Sequence, residues 1–117
     1  MPKTTVYYYT SSTNNNPFAH FLDSLQKKQQ AKILRVIFQI GKYGLLSILP
    51  HIKKLTGTPL WEIRILGKDN LRIVYIIPHQ NSVLVLHGFI KKTQKTPYKE
   101  IAIALNRFKD WQTHHCK

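Results

Sequence analysis

The stretch PLWEIRILGKDNLRIVYIIPHQNSVLVLHGFIKKTQKTP, residues 59–97, decides the fold. It holds three runs, 60–66, 71–77 and 83–89, that are rich in β-branched and aromatic residues and are of strand length. The separators are Gly67-Lys68-Asp69-Asn70 and Pro78-His79-Gln80-Asn81, both composed of turn formers. Loops this short join antiparallel neighbours, so the stretch predicts a three-stranded meander.

Side chains alternate across a strand. Trp61, Ile63 and Ile65 therefore share one face, and Glu62 and Arg64 the other. In the second run Leu71, Ile73, Tyr75 and Ile77 share a face, which leaves Arg72 with Val74 and Ile76. A three-residue loop at 67–69 is symmetric about Lys68 and sets Arg64 directly opposite Arg72. Like charges so placed destabilise a sheet, so the pair requires an anion or a functional reason. A two-residue loop, Gln80-Asn81, sets Arg72 against Phe89 and Val74 against His87. His87, Phe89 and Lys91 then join the arginine face, which predicts a concave cationic surface carrying rings. Cations for phosphates and rings for stacked bases suit single-stranded nucleic acid. Glu62 is the one acid of this patch; it has a functional reading as a base, and reads more simply as a salt-bridge partner of Arg64. Trp61 and Tyr75 read as core.

Upstream, Thr5-Val6-Tyr7-Tyr8-Tyr9-Thr10 reads as a first strand, followed by a polar loop. Asn16-Pro17 supplies a cap and a proline at the first helical position, and Phe18, Phe21, Leu22 and Leu25 fall on one face. A second helix is predicted over 28–43, with Ala31, Leu34, Ile37, Phe38 and Gly41 as its buried stripe and Gly44 as its stop. Residues 45–59 read as a connector. Downstream, Thr96-Pro97 repeats the cap-then-proline signal before Ile101, Ala104, Leu105, Phe108 and Trp111. The tail from about residue 112 is expected to fray. These elements make one α+β domain: a mainly antiparallel sheet, an N-terminal helical hairpin and a C-terminal helix.

The chain has 117 residues, the size of one domain, and carries 18 Lys and Arg against 5 Asp and Glu. The resulting charge of +13 opposes compaction and points to a polyanionic partner. No apolar run approaches a membrane span and the first residues form no apolar leader, so the expected setting is the cytoplasm, without membrane contact. A single cysteine, Cys116, excludes an internal disulfide. His114, His115 and Cys116 are adjacent, and neighbours in a tail rarely converge on one ion, so no metal or other cofactor is expected.

The segments KKLTGTPLWEIRI (53–65), LRIVY (71–75), VLVLHGFIKKTQKTP (83–97) and EIAIALNRFKDW (100–111), in this order and spacing, resemble the RelE/HigB superfamily of bacterial toxins. With NPFAHFLDSL (16–25), the likeness is to its phage-derived HigB-like branch and spans residues 6–111. It implies a RelE-like compact fold and the toxin of a type II toxin–antitoxin system. Such a toxin is an endoribonuclease that cleaves mRNA, typically on the translating 70S ribosome, and is neutralised by a helix-turn-helix, HigA-like antitoxin. The 2′-OH attacks the adjacent phosphorus without metal and leaves a 2′,3′-cyclic phosphate and a 5′-OH.

By this likeness Arg64 and Arg72 match the superfamily's basic meander positions, Lys91 and Lys92 the basic end of the last strand, and Tyr98 the aromatic position that follows. Arg72 is assigned to transition-state charge and Arg64 to positioning the phosphate. Lys91 or Lys92 serves as general base if neighbouring cations depress its pKa, and Tyr98 stacks on a base. Lys54, His87, Phe89 and Lys95 are further RNA contacts. Some superfamily members carry a His-Tyr or Asp-Tyr-His cluster near the C-terminus; here the late histidines are His114 and His115. The same residues have plainer readings. The arginines also read as solvated strand charges, the lysines as a solubilising run or ribosomal RNA contacts, and His87 as a bonded core histidine. A non-catalytic RNA- or ribosome-binding protein, or a toxin whose catalysis has decayed, would use the same surface. The hairpin 17–43, with Lys27, Lys28 and Lys32 meeting acidic groups, is the expected antitoxin surface.

Overall fold

The computed structural model describes residues 3–115; Cys116 lies outside them. The chain runs β1 (Thr5–Tyr8), α1 (Pro17–Asp23), α2 (Lys27–Tyr43), a 3₁₀ helix (Leu45–His51), β2 (Ile52–Lys54), β3 (Trp61–Arg64), β4 (Leu71–Ile76), β5 (Ser82–Ile90) and α3 (Tyr98–His115). The sheet order is β1-β5-β4-β3-β2; β1 lies parallel to β5 and every other pair is antiparallel. Among the described residues no helix is long and apolar enough to cross a membrane.

Local chemistry sets the helix ends. Asn16 Oδ1 accepts the Ala19 N–H at 3.1 Å, and Pro17 opens α1. Gly44 stops α2 at φ 84°, a backbone setting that favours glycine. Of the predicted α2 stripe Ile37 packs on the core, but Leu34 and Phe38 are turned outward. Ile33 and Ile40 are buried, with Val36 and Ile37 against the same core, whereas Leu34 and Phe38 are 52% and 65% exposed. The helix is apolar on both sides, so periodicity alone does not choose between them. The stripe with more β-branched bulk takes the sheet side.

The expected connector also holds structure. Ile52–Lys54 adds an edge strand that pairs with residues 61–63. Its two lysines and its short length hide it from an apolar pattern.

In the meander Arg64 faces Arg72, Arg72 faces Phe89 and Val74 faces His87, as alternation requires. A β-bulge then intervenes between Val74 and Tyr75, so Tyr75 pairs with Val85 and Leu86 is the extra residue. Consequently Leu86 and His87, though consecutive, both serve the α3 side. Leu86 enters the core there, and His87 bonds to Glu100 and Arg107 of α3.

Two apolar layers sandwich the sheet. Phe18, Ile33, Ile40, Ile73, Tyr75 and Val85 fill the side of α1 and α2. A Cβ at Gly88 would lie 2.5 Å from Phe21 and 2.9 Å from Phe18, so glycine there lets α1 rest on β5. On the other side Leu60, Val74, Ile76, Leu84, Leu86 and Phe89 pack with Ala104, Phe108 and Trp111 of α3. The face carrying Arg72 is therefore not the open concave surface that alternation suggests. Its apolar part is the burial site for the apolar stripe of α3, and its charges gather beside that contact. Tyr9 donates to Asp110 at 2.6 Å and ties α3 to the first strand segment.

Candidate functional site

The site is built around Glu62. Alternation turns it to the α3 side of β3, where it is only 3% exposed. Its Oε1 lies 3.5 Å from Arg72 Nε and 4.0 Å from Lys91 Nζ, and its Oε2 accepts from the Thr96 hydroxyl. The expected Glu62–Arg64 bridge is replaced by this arrangement. Glu62 faces Val74 in the ladder, so Arg72 is its diagonal neighbour on the adjacent strand, while the Arg64 side chain is exposed. The Thr96 hydroxyl, expected to cap α3, is thereby committed to Glu62. The first turn of α3 closes on the Pro97 carbonyl instead, which accepts from Glu100 and Ile101 at 3.0 and 3.3 Å.

Arg72 is 8% exposed and donates through Nη1 to the Leu71 carbonyl at 3.1 Å. Its Nε is buried without a hydrogen-bond partner among the described residues. Burial lowers the pKa of this guanidinium; Glu62 opposes the shift and Arg64 adds to it. Lys91 stands beside it with its backbone N–H bonded to the Asn70 carbonyl at 2.8 Å. Burial pushes the Lys91 ammonium below its ordinary pKa of 10.5. Glu62 works against that shift, and Arg72, Lys53 and Arg64 reinforce it. Lys53 is a member that the sequence reading passed over. It sits opposite Glu62 in the β2–β3 ladder, so the edge strand delivers it to the same face. Four cations thus surround one carboxylate, an excess that suits an anion carrying several oxygens.

Of the remaining candidates, Lys92, Lys95 and Tyr98 are exposed on the segment that leaves β5 and enters α3. Lys54 lies on the other face of the sheet. It pairs with Trp61, and its Nζ stands 5.1 Å from that ring's centroid, a cation–π contact. His87 and Phe89 are buried, 9% and 5% exposed, and stack on each other with centroids 5.5 Å apart. Both His87 nitrogens are used. Arg107 Nη1 can only donate, so at 3.0 Å it makes Nδ1 the acceptor. Nε2 then carries the proton and donates to Glu100 Oε1 at 2.7 Å. Burial lowers the His87 pKa and favours this neutral ring, with Glu100 opposing. These rings support the site from beneath α3; they do not present a surface for a stacked base. Among the described residues no group of three or more His, Cys, Asp or Glu side chains is placed to hold a metal ion.

Residues 20–109 match the family model described as phage derived protein Gp49-like (DUF891), and the chain belongs to this family. The family is associated with RelE/HigB-type toxins. The matched span contains Lys53, Glu62, Arg64, Arg72, Lys91 and Thr96. Comparison with curated proteins finds no match.

The arrangement makes Glu62 structural as well as electrostatic. Glu62→Ala leaves Arg72 and Lys91 buried without a counter-charge and is expected to cost about 3–5 kcal/mol in urea unfolding. Arg64→Ala, at an exposed position facing a like charge, is expected to change stability by no more than about 0.5 kcal/mol. A Glu62→Ala protein as stable as wild type would show that the carboxylate does not neutralise the pair.

Proposed function

We propose that the chain is the toxin of a type II toxin–antitoxin pair, on the HigB-like branch, and that it cleaves mRNA on the translating ribosome. The observation that carries this reading is the Arg64–Arg72 juxtaposition with Lys91 beside it and one carboxylate among them. Such a pair is unfavourable in an empty sheet and favourable when a phosphodiester lies across it. Membership of a toxin-associated family supports the same reading.

In the proposed reaction the RNA 2′-oxygen attacks the adjacent phosphorus. Arg64, exposed at the rim, holds a non-bridging phosphate oxygen, and the Arg72 guanidinium faces the charge that grows on the five-coordinate phosphorus. Lys91 takes the 2′-OH proton. Its lowered pKa makes the neutral amine available at lower pH than an ordinary lysine allows. The bond from phosphorus to the 5′-oxygen breaks, and that oxygen draws a proton from water or from exposed Lys92. A 2′,3′-cyclic phosphate and a 5′-OH remain. Lys95 and Tyr98 lie on the exposed side where RNA or ribosomal RNA would pass.

The burial of Arg72 against Glu62 decides which variant is informative. Arg72→Lys keeps the charge that pairs with Glu62 and removes the planar fork. Expression of the wild-type chain alone is expected to stop translation and to leave mRNA fragments with 5′-OH ends. Arg72→Lys, folded by circular dichroism, is expected to cleave about 100-fold or more slowly. Intact transcripts and normal growth at high expression would favour a non-catalytic RNA-binding role on the same fold.

The antitoxin of this reading docks on the outer face of α2. Leu34 and Phe38 lie one turn apart there and are exposed, flanked by Lys27, Lys28 and Lys42. Lys32, expected among them, pairs instead with Asp69 at 3.2 Å. An apolar stripe with a basic rim fits an acidic amphipathic partner. Hydrogen exchange on the complex is expected to protect residues 17–43. Protection limited to 60–92 would place the contact on the arginine face.

A further inference from the structure

A cleft of about 210 Å³ opens between α2, the 3₁₀ helix and the end of β3. Its apolar walls include Ile48, Ile63 and Ile65, which are 3%, 1% and 4% exposed. Around it stand Arg35, His51 and Arg64, and no carboxylate lines it. Among the described residues none of these three has an acidic partner, whereas the fourth basic neighbour, Lys32, is engaged by Asp69. The wall formed by β3 is also a free edge. The β2–β3 ladder ends at Ile52 opposite Ile63, so Arg64 and the two residues after it have no strand on that side.

We propose that this cleft is a nucleotide subsite, which seats the base of the RNA residue next to the cleaved phosphate; the assignment rests on the nuclease reading above. Three observations favour a nucleotide over a protein segment. The volume is below the range of a drug-sized ligand site, so it suits a single ring system. The free edge is three residues long, shorter than the usual strand that adds to a sheet. The cleft opens on the α2 side of the sheet and the cationic cluster on the α3 side; Arg64, at the β3 edge, belongs to the cluster and also lines the cleft, so a strand held by its phosphate at Arg64 reaches the cleft by turning around that edge. A base there meets apolar side chains, edge backbone groups offer hydrogen bonds to its polar rim, and Arg35 and His51 meet the following phosphate.

The full chain, labelled with ¹⁵N, can be titrated with the four nucleoside 5′-monophosphates while amide shifts are followed. The expected shifts cluster at Arg35, Ile48, His51 and Leu66, with one base preferred. Arg35→Glu, a surface change, is expected to weaken this binding by about two- to fivefold, the scale of an exposed ion pair. Arg72→Lys is expected to retain it. In ribosome-dependent cleavage Arg35→Glu is expected to flatten the preference for the base beside the cut.

Shifts confined to Lys53, Arg72 and Lys91 would overturn the subsite. So would an acidic peptide that moves the cleft amides where nucleotides do not, which would mark a protein contact. Intact cleavage with an unchanged base preference in Arg35→Glu would remove the subsite and leave the nuclease. Cleft shifts in a chain that cuts no RNA would support nucleotide binding there and refute its place beside a cleaved phosphate.

Discussion

A carboxylate with two cations drawn out of water is the constraint on which this molecule turns. Each buried ion costs several kcal/mol of hydration, and only close pairing with further hydrogen bonds offsets that cost. Glu62 is the acid that meets both Arg72 and Lys91, and Thr96 donates to it as well. Glu62 stands on β3, and its partners come from β4, the residue after β5 and the approach to α3. One side chain therefore ties the meander to the course of residues 91–97. The same carboxylate falls short of neutralising what surrounds it, because Arg64 and Lys53 add charge to the same face.

The scaffold around the cluster is held by a second polar network. Arg107 donates to the Leu86 carbonyl at 2.9 Å and to His87, and His87 passes its proton toward Glu100. Tyr9 and Asp110 close the far end. The bulge at Val74/Tyr75 makes this possible, since it brings Leu86 and His87 to the same side in succession. Apolar packing under α3 supplies the gross stability, and these bonds fix where the helix sits. A fixed roof matters for a site that acts through charge, because such a site works by preorganisation.

Much of this was legible in the sequence. Alternation and a symmetric loop about Lys68 gave the Arg64–Arg72 pairing, and the caps at Asn16-Pro17 and Gly44 gave α1 and the end of α2. Three features were not legible, each for a physical reason. The buried side of α2 is only partly legible, because Ile33, Val36 and Ile40 share the helical period with Ala31, Leu34 and Phe38; Ile37 packs on the core as expected, and only the sheet decides the rest. The sequence does not distinguish Lys53 from Lys54, because β2 is too short and too polar to announce its alternation. The acid partner of Arg72 was missed because strand neighbours in sequence suggested Arg64, whereas diagonal pairing across β3 and β4 brings Glu62 to Arg72. One overlooked signal was available. Gly88 inside a strand pattern marks close approach by another element, here α1.

The proposed reaction requires the 2′-oxygen beside the phosphate that this cluster would hold. The most direct test uses ribosomes programmed with an mRNA that carries a single 2′-deoxy nucleotide at a mapped cleavage position. The all-ribose message is expected to be cut there, and the deoxy message to be bound equally well but to stay intact at that position. Cleavage of the deoxy message at the same bond would contradict it.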